Sequence, residues 1–263
     1  MFLNRKDYFF FPLFEYMSKL IFLGCLSSSK YLDTCKNAEK LIKFLDNEYE
    51  ILENPPCCGG LAYHISSDEE LGKHIEFVND WFKENDVSEL ITICAGCYNY
   101  LTHYYPEYIG LDFNVKVLHL LQFINRPENL KKLNLKYTGK KLNIYYHDAC
   151  HLRNADVPII EEARDIINSI KGPIELREME NNRINSLCCG AGGGVYSIFK
   201  ENSDYNSLLI FKQMRMAKAL LTACPFCYTS LTRIREENKI KTPVIKIEDF
   251  IIRLMEGVDP ISV

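Results

Sequence analysis

The chain has 263 residues, 47% of them hydrophobic and 25% charged, with a formal net charge of −4. That is an ordinary globular balance, long enough for one large domain or two small ones. No Lys/Arg-rich tract marks a nucleic-acid surface, and no apolar run reaches the roughly 18–20 residues of a membrane span.

The N-terminus, MFLNRKDYFFFPLFEYM, has a positive start and a short aromatic run that Pro12 and Glu15 interrupt. No small-residue cleavage site follows, so a signal peptide is a poor reading. Met17 is the plainer start, with residues 1–16 then an extension or an artefact of start assignment, and with no secretion signal the expected compartment is cytoplasmic. From there KLIFLG (19–24) reads as a strand with Cys25 at its end, and KNAEKLIKFLDNE (36–48) as an amphipathic helix. YEIL (49–52) reads as a second strand running into Pro55-Pro56-Cys57-Cys58-Gly59-Gly60. A helix over 68–86 has an acidic first turn, and ELITIC (89–94) is a strand that ends at a cysteine. A short helix, YNYLTHYYPEY, begins just after it. Residues 125–140 are polar, lack a clean period and read as a linker. The order then repeats: a strand to Cys150, a helix over 159–170, a strand over 174–179, a helix over DYNSLLIFKQMRMAKA and a strand over 218–224. Strands alternating with helices predict an α/β fold of two pseudo-symmetric lobes, each a small parallel sheet flanked by helices.

The cysteines carry the same duplication. Cys25, Cys57, Cys58, Cys94 and Cys97 recur as Cys150, Cys188, Cys189, Cys224 and Cys227, at offsets of 125, 131, 131, 130 and 130. Tyr98 and Tyr228 follow the two C-x-x-C pairs, and VKVLHLLQFI (115–124) is matched by VIKIEDFII (244–252). Ligands of open parallel sheets bind beyond the carboxyl ends of the strands, so each quintet is expected on one rim of its lobe. Adjacent cysteines serve one site only where the backbone turns sharply, which the glycines after each pair permit.

Three chemistries compete for five converging thiols. Disulfides are disfavoured by the odd total of 11 cysteines and by the reducing compartment expected for this chain. Tetrahedral zinc takes four ligands and leaves one over at each site. An iron–sulfur cluster takes thiolates and gains N–H donors from glycine-rich loops. Even there five exceeds the four ligands of an ordinary cubane, which points to an open or unusual cluster.

The pattern C-x31-CC-G-x34-C-x-x-C followed by C-x37-CC-G-x33-C-x-x-C, with HDACHLRN, NSLCCGAGGG and TACPFCYTSL in the second half, resembles the duplicated cysteine-rich (CCG) domain family. The likeness spans residues 19–252, and the best-understood members of that family are the catalytic subunits of heterodisulfide reductases. It implies a first CCG domain at 17–124 and a second at 141–263. It further implies two non-cubane [4Fe-4S] clusters, one on Cys25, Cys57, Cys58, Cys94 and Cys97, the other on Cys150, Cys188, Cys189, Cys224 and Cys227. The implied activity is reduction or formation of a thiol/disulfide pair, one electron passing to each sulfur. No C-x2-C-x2-C-x3-C-P run is present, so electrons are expected to come from a ferredoxin-type iron–sulfur subunit or a flavoprotein partner. Two other readings stay open: an electron-transfer subunit of a 2-hydroxy acid or glycerol-3-phosphate dehydrogenase, and a zinc-stabilised binding or scaffold module.

Weaker signals surround the cysteines. His147, Asp148 and His151 flank Cys150 and are candidate catalytic groups, to protonate a departing thiolate or bond a cluster sulfide; the plainer alternative is a set of strand-end polar groups. GAGGG (190–194) lacks the Lys-Ser/Thr of a phosphate loop and is better explained by wrapping a cluster. Cys35, whose counterpart is Ile160, reads as a buried core thiol. Tyr98 and Tyr228 read either as cluster covers or as packing, and His64 and His103 have no sequence context.

Overall fold

Runs of buried Leu, Ile and Ala fix the strands. In the computed structural model, which describes residues 18–262, Leu20, Ile21 and Phe22 of β1 (Ser18–Phe22) are at most 1% exposed. The expected extension at 1–16 and the choice between Met1 and Met17 lie outside the described residues. β1 pairs in parallel with β2 (Tyr49–Glu50) and β3 (Val87–Thr92), and β3 with β4 (Lys116–His119), in the spatial order β2-β1-β3-β4. The second half repeats the arrangement with β5 (Leu142–His147), β6 (Ile174–Arg177), β7 (Ala219–Thr222) and β8 (Val244–Lys246), in the order β6-β5-β7-β8. Both sheets are wholly parallel and flanked by helices, as the alternating pattern predicts. The repeat holds at residue level in the register: Thr92 pairs with His119 at the carboxyl edge of one sheet, Thr222 with Lys246 at that of the other.

Helix boundaries shift where local chemistry differs from a bare hydrophobic period. The helix expected over 36–48 spans Leu32–Leu45, because Thr34 and Cys35 already face the core. The helix expected over 68–86 spans Asp68–Glu84 and starts where Ser67 and Glu70 exchange capping-box hydrogen bonds. The helix expected in DYNSLLIFKQMRMAKA spans Lys200–Lys212 instead, and the chain turns through Met216 at positive φ before entering β7. Residues 125–140 hold a further helix, Pro127–Leu133, which starts on proline and buries Leu133.

One apolar cluster runs through both halves, from Ile21 and Leu41 to Ile144, Leu220 and Phe250. The helix Leu32–Leu45 packs on the helix Ile247–Glu256 of the other half, with Thr34 Oγ1 and Asn37 Nδ2 each donating to Asp249 at 2.8 Å. Among the described residues, no helix is long and apolar enough to cross a membrane. Leu41 is fully buried in this shared core. Leu41→Ala is expected to cost about 2–5 kcal/mol of stability, read by urea denaturation.

Candidate functional site

Each sheet ends in a row of sulfur. Cys94 and Cys224 lie two residues beyond β3 and β7 and start the helices Ala95–Asn99 and Pro225–Glu237, whose first turns carry Cys97 and Cys227. Cys25 and Cys150 each open a short helix, Cys25–Lys30 and Cys150–Arg153. The paired cysteines come in on loops. Gly59 and Gly190 directly after them stand at φ 79° and 72°, the left-handed conformation that lets the chain turn while both sulfurs face the same site.

The result is two equivalent thiol sets. In the first, Cys57 Sγ lies 3.8 Å from Cys25 Sγ, and Cys58 Sγ 3.3 Å from Cys97 Sγ. In the second, the matching distances are 3.6 Å for Cys188–Cys150 and 3.3 Å for Cys189–Cys227. These are far beyond the 2.05 Å or so of a disulfide bond, and all eleven cysteines are free. Cys94 and Cys224, three residues before Cys97 and Cys227 and buried beside them, complete the sets. Contact with Cys58 and Cys94, then burial, pushes the Cys97 thiol well above its ordinary range; Cys189 and Cys224 do the same to Cys227. Five thiols in contact cannot all ionise unaided, whereas a soft cationic group would take them as thiolates. The Gly190 N–H already points at Cys188 Sγ, at 3.4 Å, as a donor to such a group's sulfur would. The donor sets therefore fit a thiolate-bound metal or cluster. Cys35 lies outside both sets, its thiol pushed up to about 11 mainly by burial.

The surroundings are less symmetric. All five thiols of the first set line a cavity of about 360 Å³; none of the second set does. The second lobe closes this cavity with His151, Phe226 and the glycine run, which lies against His64 and Leu61 of the first lobe. So the GAGGG segment turns the chain at its start and receives the neighbouring lobe at its end. Of the three candidate catalytic groups, only His151 lines the cavity, where burial holds its imidazole below the usual histidine range. His147 is fully buried at the end of β5; one ring nitrogen and the Cys189 and Cys227 sulfurs lie within 4.8 Å of one another. Burial lowers its pKa to about 4. Its counterpart at the edge of the first sheet is Phe22, by the common pairing to Thr92 and Thr222.

Asp148 is committed elsewhere. Arg164 grips it bidentately at 2.7 and 2.9 Å and bonds Glu178 at 2.7 Å, while the Arg183 N–H donates to Asp148 at 2.8 Å. Arg153 adds bonds to the carbonyls of Ile184 and Ser186. This network pins the loop that delivers Cys188 and Cys189. The first lobe braces its loop more lightly, through His74 on the Cys57 carbonyl at 2.8 Å and Tyr105 on the Cys58 carbonyl at 3.1 Å.

Three features had no sequence signal. Tyr100, in a π-helical turn at Tyr100–Tyr104, meets His64 Nε2 at 2.5 Å beside the cavity, and its ring lies 5.7 Å from that of His151. His103 bonds Asp156 of the other lobe at 2.9 Å. Lys246 and Glu248 form a buried pair behind the thiols. Tyr98 and Tyr228 line no part of the cavity: Tyr98 bonds Gln122 and the Val157 carbonyl, and Tyr228 packs edge-on to Tyr31.

Comparison with known proteins bears on the same residues. The cysteine-rich CCG domain matches twice, at residues 20–102 and 144–232. An iron–sulfur protein of Methanocaldococcus jannaschii is 33% identical over 237 residues, covering 86% of this chain and 44% of that protein. One subunit of the dihydromethanophenazine:CoB–CoM heterodisulfide reductase of Methanosarcina acetivorans is 28% identical, covering 90% of this chain and 58% of that relative. One subunit of the CoM/CoB fumarate reductase of Methanothermobacter marburgensis is 30% identical, with 78% of this chain and 40% of that relative covered. The chain spans about half the length of the curated relatives it matches.

Arg164 and Asp148 have side chains 3% and 1% exposed. Arg164→Met strands the carboxylate and is expected to cost about 3–5 kcal/mol by urea denaturation.

Proposed function

The chain belongs to the cysteine-rich CCG domain family, and from that footing we propose that it is an iron–sulfur redox subunit of the heterodisulfide-reductase type. Cys25, Cys57, Cys58, Cys94 and Cys97 hold one [4Fe-4S] cluster of the non-cubane kind in this reading. Cys150, Cys188, Cys189, Cys224 and Cys227 hold the other. The supporting observation is the twofold gathering of five free thiols at a sheet edge, with neighbouring sulfurs 3.3–3.8 Å apart. Zinc would leave one thiol unused at each site.

The substrate is a thiol/disulfide pair. Reducing R-S-S-R′ consumes two electrons and two protons and yields two thiols. Clusters held by the two cysteine sets would supply the electrons one at a time and offer iron to sulfur. The protein does the rest. The cavity beside the first thiol set, lined by apolar groups such as Leu61 and Phe226, offers the substrate's organic part an apolar surface next to the sulfurs. His151, the histidine of the three candidates that lines the cavity, is placed to take up a proton and pass it to the departing thiolate. Electrons arrive from a ferredoxin-type iron–sulfur or flavoprotein partner.

Anaerobic purification is expected to give a brown protein with about eight iron and eight acid-labile sulfide per chain, two clusters of four. Cys94→Ala and Cys224→Ala each lower both contents by about half. A colourless protein holding zinc would replace this reading with the scaffold one. Adding a disulfide to the reduced protein is expected to change its EPR signals, and identical spectra with and without disulfide would exclude direct binding of substrate sulfur.

A further inference from the structure

The last residue paired at the carboxyl edge of each sheet is polar and buried: His119 in the first lobe, Lys246 in the second, each 1% exposed. They reach across the interface in opposite directions. Lys246 Nζ donates to the carbonyl of Ile93, the residue before Cys94, at 3.2 Å. The His119 ring lies against the carbonyl of Ala223, the residue before Cys224, at a geometry short of a full hydrogen bond. The same structural position thus backs the thiol set of the opposite lobe in both halves.

The two backing groups differ in charge. His119 accepts the Leu121 N–H at Nδ1, and burial followed by the nearby Lys246 lowers its pKa to about 3, so the imidazole is neutral. The surroundings of Lys246 suit an ammonium: its Nζ donates to the Ile93 carbonyl at 3.2 Å and meets the Glu248 carboxylate. Glu248 Oε1 stands 3.1 Å from Nζ, with both side chains 1% exposed, and burial, opposed by Lys246, pushes its carboxyl up to about 7, so near neutral pH it offsets only part of the lysine charge. A buried cation this close to both sets acts through a low dielectric, and it favours whichever state of its neighbour carries more negative charge.

We propose that Lys246 is a positioning residue that raises the reduction potentials of both iron–sulfur sites at once, with Glu248 opposing it. This rests on the reading of the thiol sets as cluster ligands. Lys246 touches neither the cavity nor the reacting sulfur; it acts by fixed charge. Since it lies behind both C-x-x-C turns, one residue keeps the two sites poised together, and its partner Glu248 sets how much of that charge is felt.

The test is an EPR-monitored redox titration of the anaerobic wild-type protein, Lys246→Met, Lys246→Arg and Glu248→Gln, with iron measured on each sample. Lys246→Met is expected to lower the reduced-to-oxidised ratio at fixed potential about tenfold, a midpoint shift of about 59 mV for a one-electron couple. Glu248→Gln shifts it the opposite way, and Lys246→Arg stays near wild type. Loosened packing would move Lys246→Met and Glu248→Gln in the same direction. That result, or unmoved midpoints in variants that retain iron, overturns the inference and leaves the cluster assignment standing. Should Lys246→Met lose its iron, the sign of the Glu248→Gln shift decides alone. A wild-type protein without iron removes the cluster assignment itself, and this inference with it.

Discussion

Everything about this chain is organised around one electrostatic difficulty: holding five sulfur atoms in contact at the edge of a sheet. Left as thiols they are only weakly attracted to one another, and as thiolates they repel. The fold supplies the close approach through parallel strands that end together, helices that begin at sulfur and loops that turn on glycine. The donor sets so formed suit a soft cationic group that brings its own positive charge.

The duplication solves the problem twice with different supporting parts. Strand order, register and sulfur spacing match between halves, whereas the polar groups behind them do not. Phe22 stands where the second lobe has His147, and the second lobe surrounds its cysteine loop with Arg153, Arg164 and Arg183. The first set opens to the cavity with Cys25 and Cys57 exposed, while their counterparts Cys150, at a helix start, and Cys188, on a braced loop, are half-buried and line no part of it. Backbone geometry is thus common to the two halves, and chemical access is not.

The repeat was legible because covalent spacing survives divergence: glycine and cysteine at matched offsets announce both the turn and the candidate donors. Strand positions followed from apolar runs that need no partner to be recognised. What stayed hidden depends on tertiary contact. Nothing in HLLQFI or VIKIED says that His119 and Lys246 cross to the opposite lobe. His64 lacked any local motif, and it gains meaning only when a π-turn swings Tyr100 to within 2.5 Å. Asp148 beside Cys150 looked available for proton transfer, yet Arg164, sixteen residues on, claims both its oxygens. The segment 125–140 looked structureless since its helix is too short to display a period, and Leu133 shows its burial only against its neighbours.

The core that runs without interruption from Ile21 to Phe250, together with the Thr34–Asp249 and Lys246–Ile93 bonds across the interface, ties the two halves together through shared packing. The cavity that receives the first thiol set is walled in part by the second half, through His151, Phe226 and Gly193. A substitution in one half therefore reshapes the surroundings of sulfurs that belong to the other.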